Sequence, residues 1–270
     1  AAGYAVHLAN PAAMKRYEGI KHSGDETDAA YLAHLLRLKI LPTGYICPPA
    51  ERAVRDLARK RSQLVRTRTA QVLAVENGFA RERGARLSSN VIKRLEVAGL
   101  SEFGLGADVT CSLAANVAVI QALTAEIGKL EARLRERVRL RPQFRALITV
   151  PGIGEVLATI IMLETGPIER FAAVGNFASY ARCVDSQHLS NGKKKGQGNV
   201  RNGNRHLAWA FIEAANFARR YCPEARRFHD RKKAATNNIV ATKALAHKLA
   251  RACYHMLKDR QPFDVKRCFG

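Results

Sequence analysis

The sequence predicts a mostly α protein, and three observations carry that expectation. Two long runs between Pro48 and Pro142 place apolar residues at three- and four-residue steps. Four further segments beyond Pro142 read as helices, while only one run, Gly3 to Asn10, reads as a strand. With 270 residues and 47% hydrophobic content the chain is long enough to bury a proper core, so a disordered chain is excluded.

In chain order, Gly3 to Asn10 is β-branched and aromatic and is closed by Asn10-Pro11, which predicts a core strand. A core strand opening directly on Ala1, without a Met, suggests that the front of a domain lies upstream. After Ser23-Gly24, residues Asp25 to Leu38 predict a helix with Ala29, Leu32, Leu35 and Leu36 on its apolar face. Pro48-Pro49 opens a long charged helix over about 50–80, marked by Val54, Leu57, Leu64, Val72 and Val75. The next, over about 112–140, sets Leu113, Ile120, Ile127 and Leu134 at strict sevens, which predicts a coiled-coil seam. Together they predict an antiparallel hairpin joined by a less regular, Gly-containing connection. Its Arg-rich outer face reads as solvation or as a nucleic-acid contact.

Beyond Pro142 the expected helices are Glu155 to Leu163, Asn176 to Cys183, Arg205 to Tyr221 and Asn238 to Asp259. Trp209, Phe211 and Phe217 fall at helical spacing and are expected in the core. The run Ile148 to Leu163 is interrupted by Pro151, Gly152, Gly154 and Glu155, so it does not span a bilayer. Six scattered cysteines without a C-x-x-C pair argue against a zinc site and a disulfide framework and suggest a reducing, cytoplasmic setting.

The formal charge is +22, a field that favours a polyanion, with nucleic acid first. Residues 1–140 hold 22 basic and 14 acidic side chains, an excess of +8; residues 141–270 hold 23 and 9, an excess of +14. The second half is therefore the expected contact. Its densest stretch, Ser190 to Phe211, carries Lys193, Lys194, Lys195, Arg201 and Arg205 and no acid.

Three constellations carry chemistry. Asp25 and Asp28, at i and i+3, share a helix face with Cβ atoms about 5–6 Å apart. They read as an N-terminal cap, with Asp25 as N-cap, or as two oxygen ligands for Mg2+. Ser190, beside Asn191-Gly192, reads as a turn residue or as a nucleophile facing a phosphodiester, with the lysines stabilising the developing charge. Gly152 and Gly154, at the mouth of a helix, read as a turn or as a phosphate approach like that of helix-hairpin-helix modules. No G-x-S-x-G elbow or Walker A pattern is present, so hydrolase and NTPase readings lack support.

Taken together, GIKHSGDETDAAYLAHLL (19–36), VPGIGEVLATIIMLETG (150–166) and FASYARCVDSQHLSNGKKKGQGNVRNGNRHLAWAF (177–211) resemble the insertion sequence 110 family transposases. Each piece alone is weak, but their order over nearly all of the chain is specific. The resemblance implies an RuvC-like (RNase H-type α/β) domain with four acids, a coiled coil, and a helical C-terminal transposase domain with a catalytic serine. Expected boundaries here are 1–47 for a remnant of the first, 48–141 for the second and 142–270 for the third. The last two metal-binding acids fall on Asp25 and Asp28 and the serine on Ser190, while the first two acids would lie upstream of Ala1, implying an N-terminally truncated chain. The implied activity is cutting and rejoining DNA through a serine–DNA link with Mg2+. The implied partners are insertion-sequence ends, target DNA, a guide RNA and further copies of the chain, with no membrane. Two other readings stand beside it: an inactive fragment that only binds nucleic acid, and a structural coiled-coil adaptor.

Overall fold

The computed structural model describes residues 3–10, 14, 24–184, 187–191, 193–197 and 202–270; for 187–190, 194 and 197 it describes the backbone alone. Eleven α-helices and one β-hairpin appear among these residues, so the expected mostly α architecture is the observed one. α1 spans Asp25–Arg37, α2 Pro49–Arg83, α3 Ser89–Ile92 and α4 Ala107–Val138. α5 (Pro142–Leu147), α6 (Glu155–Thr165) and α7 (Val174–Tyr180) precede the strands β1 (Gln187–Ser190) and β2 (Lys193–Gln197). α8 (Arg205–Tyr221), α9 (Pro223–Ala235), α10 (Asn238–Asp259) and α11 (Val265–Phe269) complete the chain.

α2 and α4 form a stalk. Their antiparallel register is read from three contacts, Arg61 with Glu131 (2.6 Å), Arg68 with Thr124 (3.2 Å) and Gly78 against Leu113, and Arg141 just beyond α4 continues it by pairing with Glu51 (2.7 Å). As the α2 number rises the α4 number falls in step. The heptad residues Leu113, Ile120, Ile127 and Leu134 are all buried, which is what a stripe at sevens does when a second helix covers it. The seam is satisfied within the chain. α4 is also the one helix among the described residues long and apolar enough to cross a membrane, yet this stripe faces α2 and its last turns carry Arg135 and Arg137.

The stalk joins two separate cores. At its tip, Val72, Val75, Val117 and Ile120 close over Ile92 and Leu100 from the connection. At its base, Val54, Ala58, Leu134 and Val138 merge with the core of a helical body made by α5–α11. In that body α6 is central, with nine of its eleven residues buried. α8 lays Leu207, Ala210, Phe211, Ala214 and Ala218 onto it, and α10 packs across α7, α8 and α9.

Three expectations are corrected. Gly3–Asn10 is no core strand. It pairs only at Ala9 with Thr43, flanked by Gly44 N–H to Leu8 O (2.7 Å), and Tyr4 is 84% exposed. Its β-forming side chains meet no second strand among the described residues, and an extended run without a partner leaves its backbone to water. Asp25 is not the N-cap; Gly24 is, and its N–H donates to Thr27 Oγ1 (2.9 Å). Trp209 and Phe217 are 44% and 39% exposed, because they sit about two positions off the α8 stripe and turn outward, whereas Phe211 is fully buried.

The two cores make one mutation local. Ile120→Ala should cost about 2–5 kcal/mol at the tip. Hydrogen exchange should then rise over residues 84–106 and stay unchanged across α8 and α10.

Candidate active site

The basic segment, expected as a loop, opens as a hairpin. Ser190 pairs with Lys193 and Leu189 with Lys194, with an irregularity between His188 and Leu189. The connection is Asn191-Gly192, and Asn191 has φ +50°, the left-handed conformation that a two-residue hairpin turn takes from such a pair. Ser190 is thus the last ladder residue before the turn. Lys193 and Lys195 are exposed; the side chains of Ser190 and Lys194, and the whole of Arg201, lie outside what is described.

Both ends of the segment are anchored to the body. Before it, the Cys183 N–H donates to Ala178 O (2.9 Å), and burial pushes the buried Cys183 thiol up to about 12. After it, Gly203 has φ +88°, and a Cβ there would meet Tyr180 O at 2.5 Å, so only glycine passes. Arg182 Nη2 donates to Gly203 O (3.0 Å) and the Asn204 N–H donates to Tyr180 O (2.6 Å). Asn204 then caps α8: its Oδ1 accepts from the N–H groups of His206 (2.8 Å) and Leu207 (3.2 Å).

The other end of that amide reaches the centre of the body. Asn204 Nδ2 donates to Glu164 Oε2 (2.7 Å). Arg59 of the stalk grips the same carboxylate in a fork, Nε to Oε1 at 2.7 Å and Nη2 to Oε2 at 2.8 Å. Glu164 is 5% exposed. Burial alone would raise its carboxyl, but the hydrogen bonds from Arg59 and Asn204 and the Arg59 charge outweigh that and hold it below the ordinary value. Hydrogen bonding to Glu164 in turn raises Arg59. His206 is held below its ordinary value by burial, against the raising pull of Glu164, and the charges of Arg59, Arg205 and Arg66 push the same way as burial. Arg205 itself is exposed, one turn before half-exposed Trp209.

Tyr180 links this cluster to the N-terminal part of the chain. Arg170 lies over the rings of Phe171 (4.3 Å), Tyr180 (4.5 Å) and Tyr45 (5.0 Å), docking the segment after α1 onto the body.

The other sequence candidates lie elsewhere. Gly152 has φ +87°, and a Cβ on it would stand 2.3 Å from Ala214 O and 2.5 Å from Ala218 N, so packing on α8 alone requires glycine there. Gly154 caps α6 with open space around its Cβ position, but Glu155, paired with Arg135 at 3.0 Å, occupies that helix mouth with negative charge. Asp25 and Asp28 stand in the first turn of α1, Asp25 exposed and Asp28 half-buried, and α1 shares no packed interface with the hairpin among the described residues. No group of three or more His, Cys, Asp or Glu side chains gathers among those residues. Two carboxylates fall short of the oxygen set that Mg2+ takes from protein and substrate, so they fit the ion only with further oxygen donors such as DNA phosphates.

Residues 144–230 match the model of the Transposase IS116/IS110/IS902 family. The matched stretch contains α6, the hairpin, Asn204 and all of α8. That stretch is about a third of the chain, and the relatives similar to it include a protein named as a transposase and two proteins of insertion elements. The chain is 28% identical over 269 residues to a Pseudomonas aeruginosa protein named "Probable family 20 transposase", covering 94% of this chain and 78% of that protein. It is 27% identical over 192 residues to an uncharacterized 42 kDa protein of insertion element IS900 from Mycobacterium paratuberculosis, covering 67% of this chain and 47% of that one. It is 27% identical over 142 residues to an uncharacterized 43.6 kDa protein of insertion element IS110 from Streptomyces coelicolor, covering 52% and 35%. The chain thus spans about half or less of the length of the latter two.

Glu164, Arg59 and Asn204 are not among the residues that the sequence motifs single out. A signal was present, since one acid inside the apolar run VLATIIMLET must find a partner once buried. The sign of its pH dependence follows from its lowered pKa. Ionised Glu164 stabilises the fold above the ordinary carboxyl value of 4.5, and that contribution is lost as pH falls through the lower folded value. Glu164→Gln should therefore destabilise by about 2 kcal/mol at pH 7. The gap from wild type should narrow below about pH 4.5 in urea titrations run at successive pH values.

Proposed function

We propose that this chain is the DNA-cutting and rejoining protein of an insertion sequence, with Ser190 as nucleophile. The observation that carries the reading is the hairpin: Ser190 next to the turn, paired with Lys193, in an acid-free basic segment whose exit is fixed to a buried Glu164–Arg59–Asn204 network. The similarity of residues 144–230 to a transposase family model, and of the chain to a protein named a probable transposase, supports DNA as the substrate.

In this reading Ser190 Oγ attacks a DNA phosphorus. A serine–phosphate ester forms, one P–O bond of the backbone breaks, and the leaving oxygen departs as a DNA hydroxyl, carrying in net terms the proton the serine gave up. A hydroxyl of a second DNA end later attacks the ester, remaking a phosphodiester and returning the serine. Bonds of one kind are exchanged at each step, so no ATP is needed. Lys193 and Lys195 stabilise the charge on the phosphoryl oxygens, and Arg205 and the exposed face of Trp209 receive the adjoining strand. Mg2+, when held by Asp25 and Asp28 with phosphate oxygens and further carboxylates, would supply charge neutralisation at the phosphate. By resemblance the active species is a homo-oligomer, in which a neighbouring copy can bring its acids to the hairpin. By resemblance a guide RNA selects the target by base pairing while the basic protein contacts backbones.

A second reading is a chain that binds nucleic acid without cutting it, favoured by the lack of a group of three or more metal-ligating side chains among the described residues. Ser190→Ala discriminates. With DNA spanning the element's own junctions, the wild-type chain should give a protein–DNA adduct on denaturing gels. The variant should lose it by at least about 10^3-fold while its Trp209 fluorescence still responds to DNA. Undiminished adduct in the variant ends the serine assignment, and no adduct from either protein favours the binder.

The lysines give a separate readout. Replacing Lys193 and Lys195 by Ala should flatten the slope of log K against log salt by about 1.8 for duplex DNA.

A further inference from the structure

A groove of about 820 Å3 runs between α9, α10 and the C-terminal segment 261–268. None of its lining residues comes from the hairpin, α7 or α8. Lys232, Lys248, Arg251 and Arg267 bring four cations to it, against one acid, Asp264. That acid is already engaged: its Oδ1 accepts from the N–H groups of Lys266 (2.8 Å) and Arg267 (3.2 Å) and caps α11. Of the four, only Arg267 has a carboxylate within ion-pair reach among the described residues, Asp259 at 3.8 Å. His247 adds a neutral donor or acceptor, since burial, aided by the Arg251 charge, keeps it below its ordinary pKa. The walls also carry aromatic surface: Phe228, with Lys248 Nζ 5.2 Å from its centroid, and half-buried Phe263.

A surplus of cations lining a concave site beside aromatic surface matches the way single-stranded nucleic acid is held: backbone in a basic channel, bases against aromatic side chains. A duplex offers its backbone but keeps its bases stacked away from such rings. We propose that this groove is a second nucleic-acid site that holds single-stranded DNA, engaging strand released by cleavage at the hairpin. The assignment of DNA rests on the transposase reading above, because the strand that Ser190 cuts is DNA.

The test uses the full chain with fluorescent dT20, rU20 and a 20-base-pair duplex as probes. Lys232→Glu, Arg251→Glu and Arg267→Glu are combined; all three side chains are exposed, so folding should survive, as circular dichroism will show. The triple variant should bind dT20 about tenfold more weakly, with a salt slope shallower by about 2. A control with the same change in charge at the stalk tip, Arg81→Glu, Arg86→Glu and Lys93→Glu, should lose far less. On the wild-type chain, a 5-iodouridine-substituted DNA strand should photo-crosslink to peptides containing His255 or Phe263, a readout that does not depend on any variant folding. Equal losses in the groove and control variants, crosslinks confined to residues 187–209, or tighter groove-dependent binding of rU20 or duplex than of dT20 would each overturn the proposal. Binding is read without cleavage, so failure of the Ser190 adduct assay leaves this result interpretable, and the reverse holds too.

Discussion

The body is organised around one buried charge. A carboxylate at 5% exposure inside an apolar helix is tolerable only if its lone pairs are filled, and Glu164 has them filled from two directions. Arg59 arrives from the stalk and Asn204 from the start of α8. Each partner also belongs to a second structure, so three elements distant in sequence hold one geometry. The network fixes where the stalk meets the body and where the basic segment ends.

Asn204 shows how economical this is. Its carbonyl oxygen closes the first turn of α8 while its amide nitrogen reaches Glu164, so one side chain ends the segment, starts the helix and ties both to the core. Gly203 before it threads past Tyr180 O where no side chain fits.

Much of the helical frame was legible in the sequence because helices with one covered face write their period into it. The sevens from Leu113 to Leu134 foretold which side of α4 is buried, and the two prolines at 48–49 foretold where α2 starts. α9 was missed although Pro223 marks its first turn, since RRFHDRKKAA carries too little apolar signal to register a period. The hairpin was missed for the same kind of reason. Lysine-rich strands exposed to water need no alternation, and only the Asn-Gly pair hinted at the turn. The opposite error arose at Gly3–Asn10, where local β preference finds only the Ala9–Thr43 bridge among the described residues. Ser190 and the lysines were visible as composition, whereas the Glu164 contacts join residues 105 and 40 positions apart and no local pattern encodes them.

The stalk has a mechanical consequence. At about 1.5 Å per residue, a 35-residue α2 extends about 50 Å, and its far end carries a hydrophobic cluster of its own. Contacts through the middle are ladder-like and repeat with the heptad. Removing or adding seven residues in both helices would move the outer cluster by about 10 Å while leaving each cluster's interior intact. Reach is thereby uncoupled from the body, so related chains can differ in span without rebuilding the part that holds the hairpin.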